Sequence, residues 1–410
     1  MKYLLIASFL LQVGFLPAQN ARLKYTHYRA ILTRQDGNEV VFTMDVKNQQ
    51  GKPVFYVIND TERLRVTDIR QKGDSLFFNM PVFESSFRTK IEKDGSLSGT
   101  WIKGTRTEPQ YWPFRAIAGQ SFRFPAAAPP AGKLLTGKWL VTFTNPDGST
   151  EKALALFRQQ KSKLTGSFLT TTGDYRYLEG VVSGDSLRLS TFDGAHAYTF
   201  VAAVPDTNQI SGGTYYFGPA GKQAWTAVKD ESAALPEQES PTSLRKGESA
   251  LNFSFPDLEA RPVSLKDERF KDKVVIIELM GSWCPNCMDE TKFLSAFYRD
   301  NRKRGVEVIA LAYEYSTDWQ RSKASLEKFR NKFNVSYPVL ITGVAVGDEL
   351  RTEKTLPQLT PIRSFPTTIL LDKKGTVRDI QPVFYGPGTG LYYDRFVKDF
   401  HSKVEELLKE

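Results

Sequence analysis

The chain has 410 residues, 40% hydrophobic, 25% charged and 12% aromatic, with a formal charge of +9. That length exceeds what one core ordinarily serves, so two or three folded domains are expected. Its Lys and Arg are interspersed with Asp and Glu and form no basic run, which argues against nucleic acid as a partner and for an evenly solvated surface.

Met1-Lys2 is followed by an apolar run from Tyr3 to Leu16, and then by Leu16-Pro17-Ala18 ahead of Gln19. This is the plan of a secretory signal peptide over residues 1–18. No cysteine lies near that site to carry a lipid, and no later apolar run is long enough to predict a transmembrane helix. The mature chain is therefore expected to be exported and soluble.

From Ala21 to Val228 short alternating segments are cut by turn signals such as Gly51-Lys52, Lys72-Gly73-Asp74, Asp94-Gly95 and Pro146-Asp147-Gly148. That pattern predicts an all-β half. Gly73-Asp74-Ser75-Leu76 recurs as Gly184-Asp185-Ser186-Leu187, and Asp36-Gly37 as Asp147-Gly148, both 111 residues on (184 − 73 and 147 − 36). Two related β units are expected, at 19–124 and 133–229, joined through the Ala/Pro-rich stretch Pro125 to Gly132. Gly137-Lys138-Trp139 resembles the Gly-x-Trp opening of lipocalin-like barrels, so each unit is read as a small barrel or curled sheet. No catalytic constellation assembles in this half. Residues 230–249, with Pro236, Pro241 and several Glu and Ser, are expected to be a linker.

From Ala250 onward the periodicity changes to that of an α/β domain, predicted over 250–410. A buried strand at Lys273–Met280 leads into Gly281-Ser282-Trp283-Cys284-Pro285-Asn286-Cys287 and then an amphipathic helix. A strand at 305–312, a helix at 321–333 and strands at 337–341, 367–371 and 376–383 follow, and a long helix runs from Tyr392 to the end. This order implies a βαβ unit, then a hairpin and a closing helix. The segment 343–363 is long enough to fold over a site between them.

Cys284 and Cys287 are the only cysteines of the chain, and its three histidines, His27, His196 and His401, are scattered. Two thiolates without further ligands make a poor zinc site. A bridge across two residues closes too small a loop to serve as a staple. Reversible dithiol chemistry remains. A thiol at a helix N-terminus is held towards its thiolate, so Cys284 is the expected nucleophile and Cys287, one turn on, the resolving thiol. Pro285 suits the first helical position. Trp283 either shields the site or packs in the core. No nicotinamide or flavin motif is present, so no cofactor is expected and the cysteines are the redox centre.

Asp257-Leu258, Val263-Ser264-Leu265, Lys273-Val274-Val275, Gly281 to Cys287, Glu290 and Ser364-Phe365-Pro366-Thr367-Thr368 together resemble the TlpA/ResA group of thioredoxin-like periplasmic disulfide reductases over residues 245–410. The resemblance implies a thioredoxin-like fold for this domain and a periplasmic location. It implies disulfide-containing exported proteins as substrates, apocytochromes among them, and a membrane thiol carrier as the electron source. It also makes Glu278 the buried acid beneath the cysteines and Glu290 an acid lining the site, although Glu290 could equally stabilise its helix's first turns. Pro366 matches the cis-proline facing the dithiol. Trp283, Pro285, Phe365 and Pro366 would then form the surface that receives an extended substrate segment. Two other functions stay open on the residues: an envelope ligand- or peptide-binding β protein with an accessory redox domain, and a dithiol oxidase or isomerase.

Overall fold

The computed structural model describes residues 21–126, 134–238 and 240–410. The signal-peptide expectation for 1–18, and positions 127–132 of the predicted joint, lie outside them.

The first β unit runs β1 (His27–Thr33), β2 (Glu39–Gln49), β3 (Lys52–Asn59), β4 (Glu62–Val66), β5 (Asp68–Lys72), β6 (Ser75–Asn79), β7 (Ser85–Ile91), β8 (Leu97–Lys103) and β9 (Gln110–Ala118). Strands β4, β6, β7 and β9 read inside–outside. In β7, Phe87, Thr89 and Ile91 are buried while Arg88 and Lys90 face water, the two-residue period of a half-buried strand. The nine strands form one antiparallel sheet in the order β4-β3-β2-β1-β9-β8-β7-β6-β5. Its two ends are consecutive in sequence, so the sheet curls until only Thr67 separates them.

The second unit runs β10 (Gly137–Thr144), β11 (Thr150–Gln160), β12 (Lys163–Thr170), β13 (Gly173–Asp174), β14 (Leu178–Ser183), β15 (Ser186–Phe192), β16 (Ala197–Ala203), β17 (Gln209–Phe217) and β18 (Gly221–Lys229). It repeats the first strand for strand: β2, β3 and β9, moved on by 111 residues, give the bounds of β11, β12 and β18. Here the ladder closes, because β12 pairs with both β11 and β14, and β10 with both β11 and β18. The result is an up-and-down barrel, which has no free edge along those strands. Aromatic rings fill its interior, Phe200 lying 4.6 Å from Phe168 and 4.3 Å from Tyr215. Buried Arg123 stitches the units together, donating to Asn59 Oδ1 (2.9 Å) in the first and to Ser190 O (2.7 Å) in the second.

After β18 the chain crosses to the third unit, and from Thr242 it is fastened there: Thr242 Oγ1 donates to Pro361 O (3.1 Å) and Arg245 N to Gln358 O (2.8 Å). A short hairpin, β19 (Ser254–Pro256) and β20 (Pro262–Ser264), precedes the central strand β21 (Val274–Met280). Then come α1 (Pro285–Asn301), β22 (Val306–Ala312), α2 (Trp319–Phe333), β23 (Val339–Ile341), α3 (Arg351–Thr355), β24 (Thr367–Leu371), β25 (Val377–Gln381) and α4 (Leu391–Lys409). The sheet order is β23-β22-β21-β24-β25, with β22 parallel to β21 and β24 antiparallel to it. The alternation of β21 sends Val274, Ile276 and Met280 towards α1, α2 and α4, and Val275, Ile277 and Leu279 to the opposite face. Leu356, Leu359 and Ile362 pack on that opposite face. The segment 343–363 therefore does not fold over the dithiol as its length suggested: its apolar side chains draw it into the core beneath the sheet.

Gly166 marks a tight point of the barrel wall. It lies in two ladders at once, opposite Phe157 and Leu178, with φ +159°, and a Cβ there would fall 2.0 Å from Leu156 O. Gly166→Ala is expected to destabilise the chain by about 2 kcal/mol. Urea denaturation followed by tryptophan fluorescence checks this, and an unchanged midpoint would contradict it.

Candidate active site

Strand β21 is buried along its whole length and delivers the chain to Gly281 at the carboxyl edge of the sheet. Cys284 is the N-cap of α1, in extended conformation, and its Sγ accepts the Cys287 N–H at 3.2 Å. Sulfur thus occupies the place that a Ser or Asp oxygen takes in ordinary helix caps. Pro285 fills the first helical position and has no N–H to leave unpaired. The two cysteines are joined as a disulfide. Cys284 Sγ also lies 3.5 Å from the carbonyl oxygen of Phe365, and the Phe365–Pro366 peptide is cis.

Trp283 is half-buried, stacks on Tyr315 with centroids 5.4 Å apart, and donates its Nε1–H to Tyr313 O at 2.8 Å. Its ring needs a glycine at 281, where a Cβ would meet Nε1 at 2.1 Å. Glu314, just past β22, clamps the same turn by accepting from Ser282 N (2.8 Å) and Ser282 Oγ (2.6 Å). Burial pushes its carboxyl up to about 7.

Two further acids are buried behind the helix. Glu278 faces α1 from β21 and accepts from Thr291 Oγ1 (2.6 Å), one turn past Cys287, and from Tyr337 OH (3.3 Å). Glu290 accepts from Thr368 Oγ1 (2.8 Å), and Thr368 is the cross-strand partner of Glu278. Glu290 Oε2 has no hydrogen-bond partner. Burial raises both carboxyls, Glu278 to about 8, and the charge of Glu278 raises Glu290 further. A buried pair of acids this close favours holding protons over carrying two charges.

All eight residues singled out from the sequence come together here: Cys284, Cys287, Glu278 and Glu290 around the first turns of α1, and Trp283, Pro285, Phe365 and Pro366 around Cys284. Sequence reasoning missed what the β half contributes. The Asn286 amide donates to Asp174 O (3.2 Å) and accepts from Asp174 N (3.0 Å). Arg176 reaches across to Asp289, Nε to Oδ2 at 2.8 Å and Nη2 to Oδ1 at 3.0 Å, and also pairs with Glu62 and Asp193. Gly194 and Ala195 meet Trp283, Ser282 and Glu314 around a small enclosed space. Glu314 could have been suspected as an acid directly after an apolar strand. Arg176 carried no local signal.

Residues 246–380 match the AhpC/TSA family. Thiol-disulfide oxidoreductase ResA of Geobacillus thermodenitrificans (strain NG80-2) is 30% identical over 139 residues, which cover 34% of this chain and 70% of that protein. ResA of Bacillus thuringiensis subsp. konkukian (strain 97-27) is 31% identical over 131 residues, covering 32% of this chain and 66% of that protein, just under two thirds of its length. Among solved structures, a thiol-disulfide oxidoreductase from Bacteroides fragilis NCTC 9343 is 20% identical, with a TM-score of 0.27 and coverage of 36% of this chain and 99% of that chain.

A raised carboxyl binds its proton more tightly folded than unfolded, so it contributes stability below its unfolded value that fades as pH climbs to the folded one. For Glu278 that window runs from 4.5 to about 8. Glu278→Gln is expected to flatten the decline of stability across this window. Denaturation midpoints at several pH values test it, and an unaltered slope would show that Glu278 is not held protonated.

Proposed function

The chain belongs, through its C-terminal domain, to the ResA-type thiol–disulfide oxidoreductases, and we propose that it is an exported reductase of protein disulfides. The observation that carries this reading is the Cys284 sulfur at the N-cap of α1, accepting the Cys287 N–H. A thiolate there takes a charge-assisted hydrogen bond and faces the positive end of the helix dipole, which lowers its pKa and makes it the attacking group.

Reduced Cys284 attacks one sulfur of a substrate disulfide. The new Cys284–substrate bond forms as the substrate S–S bond breaks, and the first substrate sulfur leaves as a thiolate that takes a proton. Cys287 then loses its proton and attacks Cys284 Sγ, releasing the second substrate sulfur, which is protonated in turn. Two electrons have passed to the substrate, and the Cys284–Cys287 disulfide remains. Proximity one helical turn away drives this second step. Glu278, in its ionised form, is the group proposed to accept the Cys287 proton, because a carboxyl near 8 is matched to a thiol in a way an ordinary one is not. Glu290, raised by burial and by the Glu278 charge, would hold the second proton of the pair. Trp283, Pro285, Phe365 and cis-Pro366 would receive the substrate segment against the Phe365 carbonyl.

A membrane thiol carrier would return the electrons, and disulfide-containing exported proteins would be the clients. Among the described residues no helix is long and apolar enough to cross a membrane. The uncharged Asn286 between the cysteines favours the reductase over the oxidase direction, since no cation there stabilises the thiolate further.

Cys284→Ser is expected to abolish insulin reduction, and Cys287→Ser to accumulate the mixed disulfide. The wild-type pair should have a potential well below that of strong oxidants, which is about −120 mV. Turnover by Cys284→Ser would refute the mechanism, and a potential near −120 mV would reverse its direction.

A further inference from the structure

We propose that the β half is a cover over the dithiol, closed by two polar clasps, and that it must lift before a protein disulfide can reach Cys284. The proposal rests on the thiol–disulfide exchange reading for what the site does, while the enclosure itself rests on geometry.

Pro285 to Thr291 are seven consecutive helical residues, and all of them are buried. A helix turns about 100° per residue, so seven in a row leave no face of its first two turns open to solvent. The third domain covers α1 from β21, β22, α2 and α4, and its Gly386 lies against Asp289, where a Cβ would fall 3.0 Å from Oδ2. The β half covers α1 at Asn286 and Asp289. Asp174 pairs its backbone with the Asn286 amide, and a Cβ on Gly173 would fall 2.6 Å from the end of that amide. Gly194 and Ala195 line a small space together with Ser282, Trp283 and Glu314. Cys284 lies between these contacts with 5% of its surface exposed. Exchange requires the attacking and the two substrate sulfurs to line up, with a folded protein attached to the far pair. The space where that protein would stand is filled by this chain's own residues.

The clasps differ in character. At the first, Arg176 is enclosed with Asp289 of α1 and with Glu62 and Asp193 of the β half. Three carboxyls gather on one guanidinium, with His196 beside Asp193 (3.4 Å) and burial raising the Glu62 carboxyl. At the second, Arg321, Ser325 and Lys328 lie on one face of α2 at helical spacing. Arg321 and Ser325 donate to the Glu84 carboxylate, Lys328 to Phe83 O and Arg321 to Thr105 O. The Arg321 and Glu84 side chains are each 32% exposed, so water competes for this pair and it holds weakly. One covalent connection, between Lys229 and the pinned Thr242, joins cover and domain on the described chain and leaves room for a hinge. Away from the clasps the interface is mixed: Tyr385 OH donates to Thr170 O (2.8 Å), and Tyr385 and Tyr392 pack on Leu154, Leu169 and Ala233.

The test uses the full chain in a Cys287→Ser background, so that Cys284 is the sole thiol. Reduced protein is labelled with iodoacetamide and with a maleimide on a long polyethylene glycol chain, each rate being normalised to the urea-unfolded chain. In the parent the bulky reagent should lag the small one by about tenfold or more, and Glu84→Ala/Arg321→Ala should recover about tenfold in the bulky rate. Lys328→Ala is a second, milder variant, and circular dichroism verifies that each variant is folded. Equal normalised rates in the parent, or clasp variants that label no faster, overturn the cover. Insulin reduction with Cys287 restored separates the two readings. Faster labelling without any reductase activity keeps the cover and removes the reductase. Full activity in the wild type, unchanged by opening the clasps, keeps the reductase and removes the cover.

Discussion

A sulfur atom closes the amino end of α1, and the rest of the molecule is arranged around that fact. The first amides of any helix lack partners within the helix. Here the Cys287 N–H finds one in Cys284 Sγ, so the residue that satisfies the backbone is also the residue whose charge the helix favours. Structure and reactivity thereby rest on one contact. The constraint reaches outward. Cys284 can cap only if the preceding turn is held, which Glu314 does through Ser282, and only if Trp283 can fold back over Gly281. On its other side the Phe365 carbonyl defines where a partner's backbone would lie.

The acids behind the helix follow the same economy. Glu278 stands in a strand that is otherwise apolar, where an isolated carboxylate would be costly. Thr291 and Tyr337 each give it a hydrogen bond, and both donors are themselves buried. Glu290, on α1, is held by Thr368, the residue opposite Glu278 in the ladder, so helix placement and sheet register together bring the two carboxyls near each other. Their proton affinity is thus a property of strand pairing as much as of side-chain chemistry.

The sequence exposed those parts of this arrangement that are local. The Cys-x-x-Cys, the strand before it and the helix after it are contiguous, and so are the turns that announce the β half. The repeat was legible because its landmarks recur at a fixed spacing, and the strands keep that spacing. Three things were not legible. The closing of the second ladder depends on pairing between β12 and β14, which no turn residue encodes. The segment 343–363 has the length of a flap, but Leu356, Leu359 and Ile362 send it beneath the sheet. The meeting of Asn286 with Asp174 joins residues 112 positions apart (286 − 174), and neither is unusual in its own neighbourhood.

Comparing the two β units at equivalent positions explains how the cover is made. Arg65 and Arg176 correspond, 111 residues apart (176 − 65). Arg65 stays in the ladder, opposite Tyr56, with its side chain exposed. In the second unit the same hairpin begins in the same register, Leu169 opposite Asp174, but the ladder breaks after Tyr175 and resumes one residue out of step, with Leu178 opposite Gly166. Arg176, at φ +57°, is thrown out of the wall. A bulge of this kind re-aims a side chain while the strand continues. The barrel can close because β14 regains both neighbours, and the ejected arginine is free to reach Asp289 on the catalytic helix. In the first unit the corresponding strand splits at Thr67 instead: β4 pairs with β3, β5 with β6, and nothing is ejected. One repeat thus keeps its arginine in the sheet, and the other gives up two residues of ladder to grip the site.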